Sequence, residues 1–137
     1  MAYTFQTTTS RSALMSKIKS KNTIPEVLLR KKLWNLGLRY RIHAGSLPGK
    51  PDIVFNRQKL AIFIDGEFWH GFKWENKKPK IVANRDYWVK KIEGNIRRDL
   101  FHSEKLTQMG FTVLRFWEHE IKKDINGCIN IIKSHLH

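Results

Sequence analysis

The chemistry-bearing residues of this chain gather in one stretch, Gly49 to His70, where two apolar runs each carry a carboxylate at one end. Asp52 follows Pro51 and opens the run Ile53 to Phe55, and Asp65 closes the run Leu60 to Ile64. Gly66 then lets the chain leave sharply or approach closely, and Phe68, Trp69 and His70 follow at once. Two like charges ~4 Å apart repel by roughly 4 kcal/mol at an effective dielectric of 20, which a divalent cation would relieve. Mg²⁺ held by one or two carboxylates and several waters can activate water and clamp negative charge on a phosphodiester. A histidine, with an ordinary pKa near 6.5, suits proton transfer to or from the attacking water. The plainer reading of either aspartate alone is a turn residue at a strand end. Their pairing in so basic a chain favours the metal reading.

These residues need elements to hold them. Thr23-Ile24-Pro25-Glu26 reads as a capping box, with Thr23 as N-cap, Pro25 in the first turn and Glu26 three residues on. Glu26 is explained equally by that cap and by a place in the site. Val27, Leu28, Leu29, Leu33 and Leu36 give the helix an apolar face, and Gly37 ends it. Leu38 to Ile42, Asp52 to Phe55 and Leu60 to Ile64 read as strands, the last two joined by the short Asn56-Arg57-Gln58 connection. That hairpin brings Asp52 and Asp65 to the same end. Glu67, two residues beyond Asp65, would share its face and is a weaker candidate ligand.

Residues 73–83 read as a Lys-rich loop. From Arg85 to Met109 the apolar residues Trp88, Ile92, Ile96 and Leu100 predict one long helix closed by Gly110. Phe111 to Trp117 reads as a strand, and Asp124 to Leu136 as a last helix with Ile125, Ile129 and Ile132 inward. Ser12 to Lys19 reads as a short basic helix, and residues 1–9 as a frayed tail. The order predicts one α/β domain over residues 10–137, with a mixed sheet flanked by helices.

The chain has 26 Lys+Arg against 12 Asp+Glu, a net charge of +14 over 137 residues. Such a field favours a polyanion, either nucleic acid or an anionic membrane surface. No apolar run approaches the ~20 residues that span a bilayer, and the polar N-terminus has no signal-peptide pattern. Nucleic acid and a cytoplasmic location are therefore expected. Residues 1–50 hold ten basic side chains and a single acid, Glu26. Lys17, Lys19, Lys21, Lys90, Lys91, Arg97 and Arg98 are the candidate phosphate contacts. The one cysteine, Cys128, forms no internal disulfide and is expected as an inert buried thiol.

Pro-Gly-Lys-Pro-Asp52 followed by Asp65-Gly-x-Phe68-Trp69-His70 resembles the very-short-patch repair (Vsr) endonucleases. So do Met15-Ser-Lys-Ile-Lys-Ser-Lys-Asn-Thr-x-Pro-Glu26, Tyr87-Trp88-x-x-Lys91-Ile92-x-x-Asn95-x-x-Arg98-Asp99 and Leu114-Arg-Phe-Trp117-Glu118, in the family's order. The resemblance implies a restriction-endonuclease-like core and Mg²⁺-dependent nicking of one strand at a T·G mismatch, with Mn²⁺ as a substitute. It implies monomeric action, Asp52 as the central metal ligand, Asp65 as a further ligand and His70 as the catalytic histidine. Glu26 would support the site. Phe68 and Trp69, with Met15 opposite, would wedge open the base stack beside the mismatch. Unstacking costs a few kcal/mol, least at a mismatch, so a wedge can select without reading every base edge. Without the resemblance, core filling is the favoured reading of the two aromatics, and simple solvation that of the histidine.

Where the family carries structural zinc ligands this chain reads Glu67, Phe72, Trp74 and His119. Two candidate ligands do not close a tetrahedral site, so no structural zinc is expected and Phe72 and Trp74 are expected to pack instead. That departure leaves open a restriction- or mobile-element-type nuclease acting on undamaged duplex. A non-catalytic DNA-binding module is a further alternative, against which the joint presence of Glu26, Asp52, Asp65 and His70 speaks.

Overall fold

The computed structural model describes residues 22–136. The frayed tail, the basic helix, Met15, Lys17, Lys19 and Lys21 therefore lie outside the described residues. Helix α1 spans Ile24–Asn35 with Pro25 in its first turn. Its buried stripe is Glu26, Leu29 and Leu33, spaced by three and four residues. Leu28 and Leu36, expected on the apolar face, are instead exposed. The buried stripe thus ends on a carboxylate at the helix's N-terminal turn.

Strands β1 (Arg41–Ile42), β2 (Ile53–Phe55) and β3 (Leu60–Asp65) follow, with β4 (Thr112–Trp117) after the long helix. The sheet order is β1-β2-β3-β4, antiparallel except for the parallel β3–β4 pair. This is the expected mixed sheet, although the first strand is only two residues long. All six residues of β3 are buried, because helices cover both its faces. Leu60, Ile62 and Ile64 pack with Leu29, Leu33, Ile121, Ile129 and Ile132 on one side. Ala61 and Phe63 pack with Leu106 on the other.

Residues 73–83 are more ordered than expected. Helix α2 (Trp74–Lys77) runs into a 3₁₀ turn, Lys78–Lys80. Helix α3 spans Arg85–Gln108, as its apolar spacing requires, but Leu100 is exposed. A strict four-residue repeat advances ~40° beyond each full turn, so by the third step it has left the buried face. Trp88, Ile92 and Leu106 are the buried residues of α3. A short helix not expected from the sequence, α4 (Glu118–Lys123), precedes the expected last helix, which is present as α5 (Ile125–Ser134). Asp124 breaks the chain between them and caps α5, accepting the Gly127 N–H at 3.0 Å. Ile129 and Ile132 are buried, and Ile125 packs against them. Cys128 is a buried free thiol. No described helix is long and apolar enough to cross a membrane.

Candidate active site

The predicted acids meet at one end of β2 and β3, next to the start of α1, and there they divide into two groups. Glu26, His43 and Asp52 form the first, each offering a ligand atom within 4.8 Å of the others. Asp65, His70 and Asp99 form the second on the same criterion.

In the first group Glu26 is only 2% exposed. The expected capping box is absent, since the Thr23 side chain makes no cap bond. Glu26 Oε2 accepts the Asn22 N–H at 2.6 Å and Arg30 Nη1 at 3.0 Å, and both its oxygens lie 3.3 Å from His43 Nε2. Its place on the Leu29–Leu33 stripe buries the carboxyl between the helix start, where Asn22 donates to it, and His43. Asp52 Oδ2 accepts the Ile64 N–H at 2.7 Å from the neighbouring strand. Burial, reinforced by hydrogen bonding to Glu26 and by its charge, pushes the Asp52 carboxyl up to about 8. A buried carboxyl whose charged form is so disfavoured, beside a second buried carboxyl, is where a cation would restore the charge.

In the second group Asp65 is 5% exposed and is not left bare. Arg115 stands opposite Phe63 in the parallel register, and its guanidinium lies 4.0 Å over that ring. Arg115 Nη1 reaches both Asp65 oxygens at 3.1 Å, Nη2 reaches the Asp99 carbonyl at 3.2 Å, and Nε reaches Ser103 Oγ at 2.9 Å. Burial raises the Asp65 pKa, with His70 and Arg115 pulling the other way. His70 Nδ1 lies 2.5 Å from Asp99 Oδ2 and 3.7 Å from Asp65 Oδ1. Burial lowers the imidazole pKa, but the Asp99 hydrogen bond and the two carboxylates outweigh it, so the net shift is upward. Among the described residues His70 Nε2 has no hydrogen-bond partner.

The turn from Gly66 to Lys73 presents His70, and α3 clamps it. Asn95 Nδ2 donates to the Trp69 carbonyl at 2.8 Å. Gly71 has φ +71, and a Cβ there would lie 2.5 Å from Ile96 Cδ1, so the turn meets α3 at its closest where there is no side chain. Phe68 is buried with Ile81, Trp88 and Ile92, its ring edge-on to Trp88. Trp69, edge-on to Phe68 at 4.6 Å, is only partly buried. Of the two expected wedge residues, Trp69 is the accessible one, because Phe68 fills the small core beneath it.

Glu67 does not join either acid group. Its Oε1 accepts the His119 N–H at 2.8 Å and lies 2.7 Å from His119 Nδ1. Burial opposes those bonds, yet they lower the Glu67 pKa. The Phe72 ring packs edge-on to His119 and Trp117, and Trp74 Nε1 donates to Glu93 at 2.9 Å. The four positions that depart from the family's zinc pattern are thus engaged as an ion pair, an aromatic contact and a bond to α3.

Lys90, Lys91, Arg97 and Arg98 are all exposed on α3. Each seven-residue pair shares a line along the helix. The Lys91–Arg98 line borders the Asn95 edge, and Arg98 Nη2 donates to Asn95 Oδ1. The Lys90–Arg97 line lies roughly 100° further from the turn.

His43, Asp99 and Arg115 escaped the sequence reading as site residues. Asp99 carried a signal, standing seven residues after Ile92 and four after Asn95, on the inward face of α3. His43 and Arg115 carried none, since strand register alone brings them in.

A mixed sheet with helices on both faces, and acids and a histidine collected at the end of its central strands, has the groups that could hold a divalent cation and move a proton, as hydrolysis of a phosphodiester needs. Comparison with known proteins makes that class specific. Residues 4–76 match the family model described as DNA mismatch endonuclease Vsr. The type II nicking enzyme V.NmeDIP of Neisseria meningitidis serogroup C is 47% identical over 124 residues, 90% of this chain and 84% of the relative. V.HpaIIP of Haemophilus parainfluenzae, also named a type II nicking enzyme, is 46% identical, covering 83% of this chain and 81% of its own. The DNA mismatch endonuclease Vsr of Escherichia coli K12 is 36% identical, covering 80% and 69% respectively. The chain belongs to the Vsr family, and it is a DNA endonuclease of that family with the restriction-endonuclease-like α/β core.

Proposed function

We propose that this endonuclease nicks one strand of duplex DNA at T·G mismatches, in a Mg²⁺-dependent reaction that Mn²⁺ also supports. The observation that carries the reading is the division of labour at the end of β3: a buried carboxyl pair beside a histidine–aspartate dyad. Glu26 and Asp52 supply oxygen ligands of the kind hard divalent cations take, with Asp65 near enough to add charge. When bound, the cation lowers the pKa of water and stabilises charge on the phosphoryl oxygens.

The protein's own residues perform the rest. Asp99 holds His70 through Nδ1, leaving Nε2 to take a proton from the attacking water or to support charge in the transition state. Arg115 neutralises Asp65 and ties it to the Asp99 backbone, fixing the spacing of the dyad. Trp69, backed by Phe68, enters the base step, with Met15 opposite. Lys17, Lys19, Lys21 and the exposed basic residues of α3 bind the phosphate backbone of a DNA duplex engaged by one protomer.

A single cleavage panel tests this: T·G, the other mismatches and matched duplex of identical sequence, each with and without Mg²⁺. Preferential nicking of the T·G duplex only with metal is expected. Equal nicking of matched duplex would move the enzyme to restriction-type action on undamaged DNA. Tight binding with no cleavage in Mg²⁺ or Mn²⁺ would leave a DNA-binding module. The replacements at Glu67, Phe72, Trp74 and His119 support a chain without structural zinc, and one stoichiometric Zn per chain after chelator-free purification would overturn that.

A further inference from the structure

We propose that His43 is a third protein ligand of the cation site, giving it one imidazole and two carboxylates and a preference for Mn²⁺ over Mg²⁺. The inference rests on the reading of Glu26 and Asp52 as a cation site and adds to it the nature of the donor set.

Strand register fixes where His43 stands. Ile42 pairs with Ile53, and the next step of the antiparallel ladder continues with the His43 N–H donating to the Asp52 carbonyl at 3.2 Å. His43 and Asp52 are therefore neighbours by backbone pairing, though nine residues apart in sequence. Its Nε2 lies 3.3 Å from each Glu26 oxygen. Glu26 is itself fixed through Oε2 by the Asn22 N–H and by Arg30. Both of those bonds fall on Oε2, so Oε1 is the oxygen left to meet a cation held with His43 and Asp52. All three ligand atoms come from separate elements: the first turn of α1, the end of β1 and the entry to β2. Convergence of three elements on a common point is how a metal site is built, whereas a helix cap needs only its own turn.

Donor chemistry then sets the metal. Mg²⁺ demands oxygen ligands and keeps its waters, while imidazole suits first-row transition ions, of which Mn²⁺ is the mildest. Ligation through Nε2 requires the tautomer with the proton on Nδ1.

The test uses the full-length protein with Mn²⁺ alone and no DNA. Electron spin-echo spectra of the bound ion are expected to show nitrogen modulation from a directly bound imidazole. The modulation should vanish in His43→Gln and persist in His70→Gln. Titration calorimetry should show His43→Gln and His43→Asn losing ~10-fold or more in Mn²⁺ affinity, with Mg²⁺ affinity changed far less. Both replacements keep a hydrogen-bond donor for Glu26, and an unchanged metal-free melting temperature identifies a folded variant. Stoichiometric Mn²⁺ binding without nitrogen modulation, or an unchanged Mn²⁺-to-Mg²⁺ ratio in both variants, would overturn the role of His43 while leaving the carboxylate site standing. Failure of the wild-type protein to bind either ion would overturn both.

Discussion

Asp52 shows how a proposed metal ligand opposes stability. Its carboxyl is buried beside Glu26, and its pKa stands near 8 against an ordinary value of 3.8. The folded protein therefore holds a proton there that the unfolded chain releases, so this carboxyl costs stability as pH rises from about 4 to about 8. Asp52→Asn can keep the Ile64 hydrogen bond through its amide oxygen and offer its NH₂ to Glu26. The variant should be more stable than wild type without metal at pH 8 by about 1–4 kcal/mol, with the gap shrinking toward pH 4. It should also lose Mg²⁺-dependent plasmid nicking. Melting curves across that pH range check the first outcome. A wild-type protein that is the more stable at pH 8 would sink it. Asp99 makes the second case. In Asp99→Asn the amide oxygen can still accept from His70 Nδ1, but the negative charge that strengthens that bond and raises His70 is lost, while the burial that lowers it remains. His70 should then titrate at lower pH by NMR, and the acid limb of the nicking rate should move down with it. Nicking should fall by ~10²-fold or more, as when a general base loses its orienting partner. An unmoved His70 titration would show that the dyad does not set its protonation.

Elements fix how closely the turn that carries His70 sits on the protein. The turn at Gly71 touches α3 at Ile96, in a backbone conformation at φ +71 that side chains rarely adopt. Gly71→Ala should therefore lower stability by about 1–3 kcal/mol through strain and overpacking. Adding Ile96→Ala should recover part of that loss by clearing the contact, whereas non-interacting substitutions would add. A chemical-denaturation cycle over the four proteins measures the difference. The same elements explain what the sequence could reveal. The apolar runs of β2 and β3 and the spacing of α3 are local patterns, so Asp52, Asp65 and the helix that faces them were legible. Glu26 was legible only as an alternative, because a cap and a site use the same residue at the same offset. The two groups into which the acids separate were not legible. That separation depends on Arg115 reaching Asp65 across a parallel pair, and on His43 meeting Asp52 across an antiparallel one. Neither register is written in local periodicity, and the drift that exposes Leu100 is likewise set by which face of α3 the sheet accepts.

At the scale of the whole molecule, a net charge of +14 sets how the protein meets DNA. Each phosphate contact releases counterions, so log affinity should fall with log salt at about −0.9 per contact. The placement of the basic residues on α3 refines which of them count. Lys91 and Arg98 lie on the line bordering the turn that carries Trp69 and His70, whereas Lys90 and Arg97 lie on a line rotated away. A duplex seated with a phosphate at the dyad passes the first line before the second. Lys91→Ala and Arg98→Ala should each reduce the salt slope by roughly one unit of contact, with affinity falling alike on T·G and matched duplexes. Lys90→Ala and Arg97→Ala should change the slope less. Arg98 also bonds Asn95, which holds the Trp69 carbonyl, so Arg98→Ala carries a second expected consequence. It should slow nicking at saturating DNA, and Lys91→Ala should not. Fluorescence-anisotropy titrations between low and physiological salt, paired with single-turnover nicking, separate the two effects. A flat salt response in the wild-type protein would show that its charge does not lie along the phosphate backbone, and equal slopes for all four variants would place the duplex elsewhere than along the Lys91–Arg98 line.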